Sequence, residues 1–308
     1  MRIAVMGAGA IGCYFGGLLA KAGHDVVLIG RAQHVDAVRA NGLLFESKTF
    51  HGHIPVGATT EPSGVAGAEL VLFSVKSADT ESAGCAIAPH LKSDAAIVCL
   101  QNGVDNAERL RSVVPQTVIA SAVYVATEMA GPGHVKHNGR GELAVENSPA
   151  TPKIAEVLNA SGIPTTVSDR VRDVLWTKLI TNCVVNPLSA LTDLSYQPLM
   201  QVEGIDAVAK GVIAECCAVA KAMGVSVPAT IEEIVLSIPQ TMPHQKSSTA
   251  QDLARGKPTE IDYLNGYVVR QGAQLGIPTP MNQVLHALVK GREARNADRS
   301  ASETAPVH

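Results

Sequence analysis

The chain has 308 residues, a length at which a single hydrophobic core usually stops growing, so two domains are expected. Hydrophobic residues make up 46% of the chain and charged residues 17%, a composition that excludes an intrinsically disordered protein. The formal net charge of -3 and the 3% of aromatic residues provide neither a basic surface nor stacking platforms. Nucleic acid is therefore excluded as an expected partner.

The six cysteines lack the spacing of a metal site. They include no Cys-x-x-Cys pair and no cluster with histidine, so no metal is expected, and they are interpreted as reduced, mostly buried thiols. The chain opens directly on a strand pattern, without the charged leader of a signal peptide, and has no apolar run of about 18 residues. These features predict a cytoplasmic protein without a membrane partner.

The first half of the chain alternates short apolar strand patterns with segments of helical composition. Strands are predicted at Arg2–Met6, Asp25–Ile29, 69–75 and 95–100, and a helix that ends before Gly23 is predicted at 10–22. The continuous apolar strands are typical of a parallel sheet covered on both faces. Further strands at 117–127 and 141–146, joined through a Gly-Pro-Gly-His turn at 131–134, are expected to end the sheet.

From about residue 167 the pattern becomes helical. Helices are predicted over residues 169–190, 202–223, 230–236, 260–275 and 281–294. The sequence therefore predicts an α/β protein with a doubly wound, Rossmann-type dinucleotide-binding domain at 1–167 and an all-α domain at 168–295. The polar residues 296–308 are expected to form a flexible tail.

A glycine-rich loop follows the first strand and opens the first helix. The loop is Gly7-Ala8-Gly9-Ala10-Ile11-Gly12, which matches the dinucleotide fingerprint in the context that the fingerprint requires. Gly7 permits the tight turn, Gly9 lets backbone N–H groups approach a pyrophosphate, and Gly12 lets the helix pack closely on the strand. The loop therefore predicts a bound dinucleotide rather than a simple glycine-rich turn.

The residues after the second and third strands bear on the choice of dinucleotide. An NAD site places Asp or Glu after the second strand to hold the ribose hydroxyls, whereas this chain has Gly30-Arg31. A guanidinium grips a 2′-phosphate through paired donors, so Arg31 favours NADP, although a solvated loop arginine is the alternative. Lys76 follows the third strand at the edge where such sheets bind ligands, a position that also fits an ordinary surface lysine.

Three polar residues stand at successive steps of four in the first long helix of the second half. Lys178, Asn182 and Asn186 therefore share one helical face, while the other faces are mostly apolar. Asparagine is a mediocre helix former, and a face shown only to water would be expected to carry Glu, Lys or Gln. A lysine between apolar neighbours is suited to donate a proton, and the amides are suited to orient it and to bind substrate. A solvated face is the alternative.

Two more polar segments complete the candidates. Gln101-Asn102-Gly103 follows a predicted strand at the same edge of the sheet, where a simple turn would also explain it. The segment 247–262 combines hydroxyls and carboxylates, including Ser248 and Glu260, just before an apolar helical pattern. A helix cap would explain Thr259 in this segment, and ordinary surface charge would explain Glu260.

Taken together, these residues resemble the ketopantoate reductases, also called 2-dehydropantoate 2-reductases. The resemblance runs from Met1 to about Leu288 and rests on the glycine fingerprint, Arg31, the Gln-Asn-Gly element, the polar helix face and the Thr-Glu-Ile-Asp-Tyr-x-Asn-Gly segment. It implies an NADPH-binding domain followed by a helical domain, with substrate in the cleft between them. The implied reaction reduces the ketone of 2-dehydropantoate to pantoate, on the route to pantothenate and coenzyme A.

The resemblance also implies roles for individual residues. Lys178 would be the catalytic proton donor, and Glu260 the acidic partner that helps to position the lysine and the cofactor. The implied substrate-binding residues are Asn102, Lys178, Asn182, Asn186 and Ser248. The implied cofactor-binding residues are the loop from Gly7 to Gly12, Arg31, Lys76, Asn102 and Glu260.

The chain departs from the family pattern at two places. Thr249-Ala250 replaces a bulkier pair beside Ser248, and Val145-Glu146 stands where a glycine is frequent. These departures bear on the fit of the substrate more than on the type of reaction.

Two alternative functions stay open. One is a 2-hydroxyacid dehydrogenase of the same fold that acts on a bulkier or aromatic 2-oxo acid, and the other is a non-catalytic NADPH-sensing protein. A sensor would need the phosphate loop but not the polar helix face. The β-hydroxyacid dehydrogenases share the Lys-x-x-x-Asn spacing, but their Gly-Gly substrate loop has no counterpart after residues 123–128. The expected partner is thus a small 2-oxo acid, and the expected state is a monomer or a homodimer.

Overall fold

The computed structural model describes the backbone of residues 1–304 and the side chains of residues 1–298. The chain divides into two compact units, Met1–Val174 and Leu175–His308, a division close to the boundary that the sequence places near residue 167. Of the predicted tail, residues 305–308 lie outside the described residues. Within residues 1–304, no helix has both the length and the apolar character needed to cross a membrane.

The first unit is built on one ten-stranded sheet with helices between the strands. In chain order the elements are β1 (Arg2–Met6), α1 (Ala10–Lys21), β2 (Asp25–Ile29), α2 (Ala32–Asn41), β3 (Leu43–Glu46), β4 (His51–Ile54), β5 (Gly57–Thr59), β6 (Leu70–Phe73), α3 (Thr80–Ile87), β7 (Ala96–Cys99), α4 (Asn106–Arg111), β8 (Thr117–Gly131), β9 (His134–Glu146), α5 (Thr151–Ala160) and β10 (Thr165–Ser168). The strand order is β4-β3-β9-β8-β7-β6-β1-β2-β5, and β10 pairs with β9.

The strands from β8 to β5 in this order run parallel, which confirms the predicted Rossmann-type domain. Every residue of β6 and β7 is buried, and helix residues such as Phe15 and Leu19 belong to the same apolar core. Burial on both faces explains why these strands are continuously apolar rather than alternating. Because the strands are parallel, the loops after β1, β6 and β7 leave the sheet at one common edge.

The sheet extends further than the sequence pattern indicates. The prediction that it ends with the hairpin at 117–146 is wrong, because β3 and β10 both pair with β9, and β4 pairs with β3. These added strands have only four residues each, too few for a clear period, and β10 has no buried residue at all. The hairpin itself consists of the antiparallel strands β8 and β9, whose register shifts at three points.

The second unit is helical, as predicted. Its helices are α6 (Val171–Thr192, which begins just before the division), α7 (Tyr196–Met200), α8 (Ile205–Ala222), α9 (Ile231–Leu236), α10 (Ile238–Thr241), α11 (Ser248–Ala254), α12 (Asn265–Leu275) and α13 (Pro280–Thr304). The only tryptophan of the chain, Trp176 of α6, is fully buried and packs edge-on against Tyr267 of α12, with ring centroids 6.0 Å apart.

Two helices differ most from the sequence prediction. The helix predicted at 260–275 begins with a short 3-10 turn, Ile261–Tyr263, and becomes an α-helix only at Asn265. The last helix continues through residues 296–304, where a flexible tail is predicted from the polar composition. Alanine, arginine and glutamate are strong helix formers, and their presence from residue 292 onward explains the continued helix.

Candidate functional site

The phosphate loop has the geometry that its glycines predict. Gly7 has a φ of 107°, and a Cβ there would lie 2.6 Å from the backbone nitrogen of Val75. The N–H groups of Gly7 and Ala8 donate to the carbonyl of Ile29 at 3.0 and 2.8 Å, which ties the loop to the end of β2. A Cβ on Gly12 would collide with the carbonyl of Gly7, so glycine is required there for α1 to pack on the loop.

The N-terminal end of α1 is suited to bind an anion. Apart from Gly9 and its chain neighbours, no heavy atom of the described residues lies within 4 Å of the position that a Cβ would take on Gly9, the residue that precedes the helix. No side chain within residues 1–298 caps this end, and the first turn carries no acidic residue. The helix therefore presents backbone N–H groups and its positive dipole end beside open space, an arrangement that fits the pyrophosphate of a dinucleotide.

Arg31 lies beside this loop at the carboxyl end of β2. It is exposed and directly precedes α2, and its carbonyl accepts the N–H groups of His34 and Val35. A Cβ on the preceding Gly30 would lie 2.6 Å from the Cβ of Ala8, so the backbone that leads to Arg31 passes close to the phosphate loop. The position fits a guanidinium that reaches the 2′-phosphate of a dinucleotide held at α1.

The loops after β6 and β7 are joined by buried amides. Gln101 donates through Nε2 to the carbonyl of Val75 at 3.0 Å and to the hydroxyl of Thr80 at 2.8 Å. Asn106 donates through Nδ2 to the carbonyl of Asn102 at 2.6 Å and to the hydroxyl of Ser77 at 3.2 Å. The segments that carry the exposed Lys76 and the half-buried Asn102 are thus held as one structure at the edge of the sheet.

An ion pair between α3 and α4 stabilises these loops. Arg109 of α4 donates through Nε to Glu81 of α3 at 2.6 Å and through its terminal nitrogens to the carbonyl of Ser77 and the side chain of Asn106. The hydrogen bond from Arg109 holds the pKa of the Glu81 carboxyl below its usual value. Asn106 and Arg109 were not predicted from the sequence, because they lie in a short helix that carries no motif.

The polar face of α6 exists as predicted. Lys178 and Asn182 are half-buried, whereas Asn186 is only 3% exposed. Neither asparagine side chain forms a hydrogen bond with any residue in the described range 1–298. Amides with unused hydrogen-bonding capacity are suited to bind polar groups of a ligand, because buried polar atoms otherwise find partners within the protein.

Ser247 and Ser248 have different environments. Ser247 is fully buried, caps α11 by accepting the N–H of Ala250 at 3.1 Å, and donates its hydroxyl to the carbonyl of Asn186 at 3.1 Å. Ser248 follows as the exposed first residue of α11. Ser247 therefore attaches the N-terminal end of α11 to the polar face of α6, a role that the sequence did not reveal because either serine could cap the helix.

The segment that carries Glu260 is fixed by α13. Glu293 accepts the N–H of Thr259 at 2.7 Å and its hydroxyl at 2.6 Å, and Lys290 bridges Glu293 and Asp262. Burial acts to raise the pKa of Glu293, but hydrogen bonds from Lys290 and Thr259 outweigh it, so the pKa is lowered. The half-buried Glu260 thus lies between Thr259 and Asp262, which Glu293 and Lys290 of α13 hold in place. Thr259 also accepts the N–H of Ile261 at 3.2 Å, but it is not the N-cap of α12, which is Leu264.

The two departures from the family pattern lie in structural positions. Thr249 and Ala250 are buried, and Ala250 belongs to an apolar cluster with Leu253, Ile261 and Val289. Val145 is fully buried in the core of the first unit. Glu146 accepts hydrogen bonds from Arg111 and from the backbone N–H of Ala120. Contacts within its own unit therefore explain the residue found at each of these positions.

Among the described residues, the cysteines and the other potential metal ligands form no metal-binding cluster. All six cysteines are free thiols, and four of them are buried; burial raises the pKa of Cys13 and of Cys99 to about 12. Within the described part of the chain, no group of three or more His, Cys, Asp or Glu side chains is placed to hold a metal ion.

Comparison with known proteins agrees with this geometry. The family model described as ketopantoate reductase PanE/ApbA matches residues 3–150, and the model of its C-terminal part matches residues 170–293. The chain belongs to the ketopantoate reductase family. A 2-dehydropantoate 2-reductase from Mesorhizobium japonicum is 32% identical over 94% of the chain and 97% of that protein. One from Pyrococcus horikoshii is 31% identical over 96% of the chain and 98% of that protein.

Solved structures include two informative members of this family's fold. A PanE/ApbA family ketopantoate reductase from Ralstonia eutropha is 54% identical, with a TM-score of 0.94 over 96% of the chain and 100% of that protein. D-mandelate dehydrogenase in complex with NADH and anilino(oxo)acetate is 27% identical, with a TM-score of 0.91 and the same coverage. The second structure shows that this fold also serves an enzyme named for an aromatic substrate.

Proposed function

We propose that this chain catalyses the NADPH-dependent reduction of 2-dehydropantoate to pantoate. The observation that carries the proposal is the polar face of α6, where Lys178 is followed by two asparagine side chains that have unused hydrogen-bonding capacity. A phosphate loop alone would serve a sensor equally well. Reduction of a ketone requires a proton for the developing alkoxide in addition to the hydride, and Lys178 can supply it while the neighbouring amides bind polar groups of the substrate.

Most of the residues expected to bind the cofactor belong to the first unit, and Glu260 belongs to the second. The backbone from Gly7 to Gly12 would bind the pyrophosphate at the N-terminal end of α1, Arg31 would bind the 2′-phosphate, and Lys76, Asn102 and Glu260 would make further contacts. The space beside Gly9 supports this assignment, because a side chain would fill it. When bound, the reduced nicotinamide supplies the hydride.

Residues of the second unit would control the proton. Lys178, as an ammonium group, would donate a hydrogen bond to the ketone oxygen and protonate it as negative charge develops there. Glu260 would hold Lys178 in its charged form and orient it. Asn182, Asn186 and Ser248 would bind the carboxylate and the hydroxyl group of the substrate, and Asn102 would contribute from the first unit.

A second candidate is the reduction of an aromatic 2-oxo acid. The likeness to D-mandelate dehydrogenase with NADH and anilino(oxo)acetate supports it. Two amides and a serine favour 2-dehydropantoate, because that acid carries a hydroxyl group that an aryl glyoxylate lacks. A site built to bind a hydroxyl group discriminates strongly against analogues without one.

A panel of 2-oxo acids, each assayed with NADPH and with NADH, tests the proposal. We expect the highest kcat/KM for 2-dehydropantoate with NADPH, and Lys178→Ala serves as the control for background reduction. The absence of turnover with every acid at high enzyme concentration would support the NADPH-sensing alternative. The cytoplasmic location, and the state as a monomer or homodimer, stay predictions from the sequence.

A further inference from the structure

Pro187 interrupts the hydrogen bonding of α6 within its polar face. In a continuous helix residue 187 donates its N–H to the carbonyl of Cys183, but proline has no N–H, and its ring presses against that carbonyl. Cys183 is fully buried, so the carbonyl has no access to water as a substitute partner. It lies between Asn182 and Asn186. The helix therefore needs a donor from another element at the turn that joins these two amides.

Asn265, the first residue of α12, supplies this donor. Its Nδ2 atom lies 2.9 Å from the carbonyl oxygen of Cys183 and 3.0 Å from Oδ1 of Asn282. Asn265 is itself fully buried. Both partner atoms act as acceptors, so a side chain with two donors fits this position, whereas a carboxylate or an apolar side chain does not.

The orientation of Asn265 is fixed by contacts that end on a carboxylate. Glu215 of α8 accepts the backbone N–H groups of Met281 and Asn282 at 2.7 and 3.0 Å and Nδ2 of Asn282 at 2.8 Å. Because a carboxylate only accepts, Asn282 turns Nδ2 to Glu215 and Oδ1 to Asn265. Asn265 must then present Nδ2. Three helices, α8, α12 and α13, are thus connected to one carbonyl of α6.

The second polar atom of the Asn265 side chain, Oδ1, bears on the role of this residue. Its Oδ1 is buried without a hydrogen-bond partner among the described residues. An unpaired buried acceptor destabilises the folded state, and an apolar side chain of similar size would avoid that cost. The fold therefore keeps the unpaired Oδ1 of Asn265 because the same side chain supplies Nδ2, the donor for the Cys183 carbonyl that Pro187 leaves without a helical partner.

We propose that Asn265 is a positioning residue for the substrate-binding amides of α6. By holding the turn that Pro187 opens, it fixes the direction of Asn186 relative to Lys178 and Asn182. The inference rests on the proposed function, in which these amides bind the 2-oxo acid. Asn265 acts only through the carbonyl of Cys183 and takes no part in the proton transfer.

The test compares three variants with the wild-type chain. Asn265→Leu removes the donor. The double variant Asn265→Leu/Pro187→Ala gives α6 its own donor, because the alanine that replaces Pro187 has an N–H for the carbonyl of Cys183. Asn296→Leu is the matched control, since Asn296 makes a similar bond through Nδ2 to the carbonyl of Leu253, at 2.9 Å, without involving α6.

Two readouts separate positioning from folding. One is the division of the kinetic effect between KM and kcat, with the melting temperature measured in parallel. The other is the fluorescence of Trp176, the only tryptophan, which packs against Tyr267 two residues after Asn265. This emission reports how α6 packs on α12 and needs no enzymatic turnover.

We expect Asn265→Leu to raise KM for the 2-oxo acid about tenfold, with kcat changed less than about threefold and NADPH binding unchanged. Emission of Trp176 should shift to longer wavelength. The double variant should regain the melting temperature but keep the raised KM and the shifted emission, because its α6 no longer has the proline turn. Asn296→Leu should change neither KM nor emission.

Three results would overturn the inference. The first is that KM and emission of Asn265→Leu equal those of Asn296→Leu. The second is that KM of the double variant recovers together with its melting temperature. The third is that the double variant fails to fold, which would make Asn265 a determinant of the folding of the whole unit. If the wild-type chain reduces no 2-oxo acid, the proposed function fails separately. The emission of Asn265→Leu, compared with that of Asn296→Leu, then decides alone: a shift in the first variant only supports the view that Asn265 directs α6, and equal values contradict it.

Discussion

The phosphate loop of the first unit and the polar face of α6 in the second unit use different parts of the polypeptide. At the loop, backbone N–H groups and the open space at Gly9 form the candidate site, and its glycines lie within six consecutive residues. On α6, the side chains of Lys178, Asn182 and Asn186 form it, and their placement depends on Ser247, the cap of α11, and on Asn265 of α12. A backbone site is thus a local property of the chain, whereas a side-chain site depends on the packing of a whole unit.

Lys178→Ala should have the largest effect and should divide the two regions most clearly. If the ammonium group acts in the transition state, kcat falls by about a hundredfold or more, while the Kd of NADPH stays unchanged. Asn182→Ala and Asn186→Ala are the matched variants on the same face; each should act mainly through KM, by about 1 to 2 kcal/mol. Near-normal kcat in Lys178→Ala would mean that the face is structural.

Arg31→Ala should change the choice of cofactor. Loss of a charge-assisted contact to the 2′-phosphate costs about 2 kcal/mol, so binding of NADPH should weaken roughly thirtyfold while binding of NADH changes little. Titration of both cofactors by fluorescence measures the two Kd values. An equal loss for NADPH and NADH would show that Arg31 does not contact the 2′-phosphate.

Gly9→Ala and Gly12→Ala sharpen the interpretation of the loop as a backbone site. A methyl group on Gly9 enters open space, so the melting temperature should stay unchanged while NADPH binding weakens about tenfold. A methyl group on Gly12 would lie 2.6 Å from the hydroxyl of Ser74 and 2.8 Å from a methyl of Val5, and it should lower stability by about 1 to 3 kcal/mol. Calorimetry with and without NADPH distinguishes the two. An unchanged affinity of Gly9→Ala for NADPH would contradict the binding of the pyrophosphate at this end of α1.

Glu293→Gln should have the smallest effect and tests the anchor of the Glu260 segment. The folded-state pKa of Glu293 is lowered, so its stabilising contribution is present above the usual carboxyl pKa of 4.5 and is lost as pH falls through the folded-state value. The variant should be less stable than the wild type by about 1 kcal/mol at pH 7, and the difference should shrink as pH falls below 4.5. A constant difference in melting temperature between pH 7 and pH 3 would contradict this account.

The same contrast explains what the sequence could predict. The glycine fingerprint, Arg31 and the four-residue spacing of α6 are local patterns, so the loop, its neighbour and the polar face are predictable. Ser247 and Glu293 contact residues that lie 61 and 34 positions away, and no local pattern marks them. Asn265 lies in the Thr-Glu-Ile-Asp-Tyr-x-Asn-Gly segment, but nothing in that segment indicates its contact with Cys183, 82 positions away. β10 was missed for a related reason, because a four-residue strand without a buried residue has almost no periodic signal.

The reduction of 2-dehydropantoate is tested most directly by internal competition. An equimolar mixture of 2-dehydropantoate and phenylglyoxylate is offered to the enzyme with limiting NADPH, and the two alcohol products are quantified by NMR. The product ratio equals the ratio of the kcat/KM values, free of differences in enzyme concentration or stability. The account predicts that pantoate is formed in large excess over mandelate. An excess of mandelate would contradict it and would make this chain an aromatic 2-oxo acid reductase.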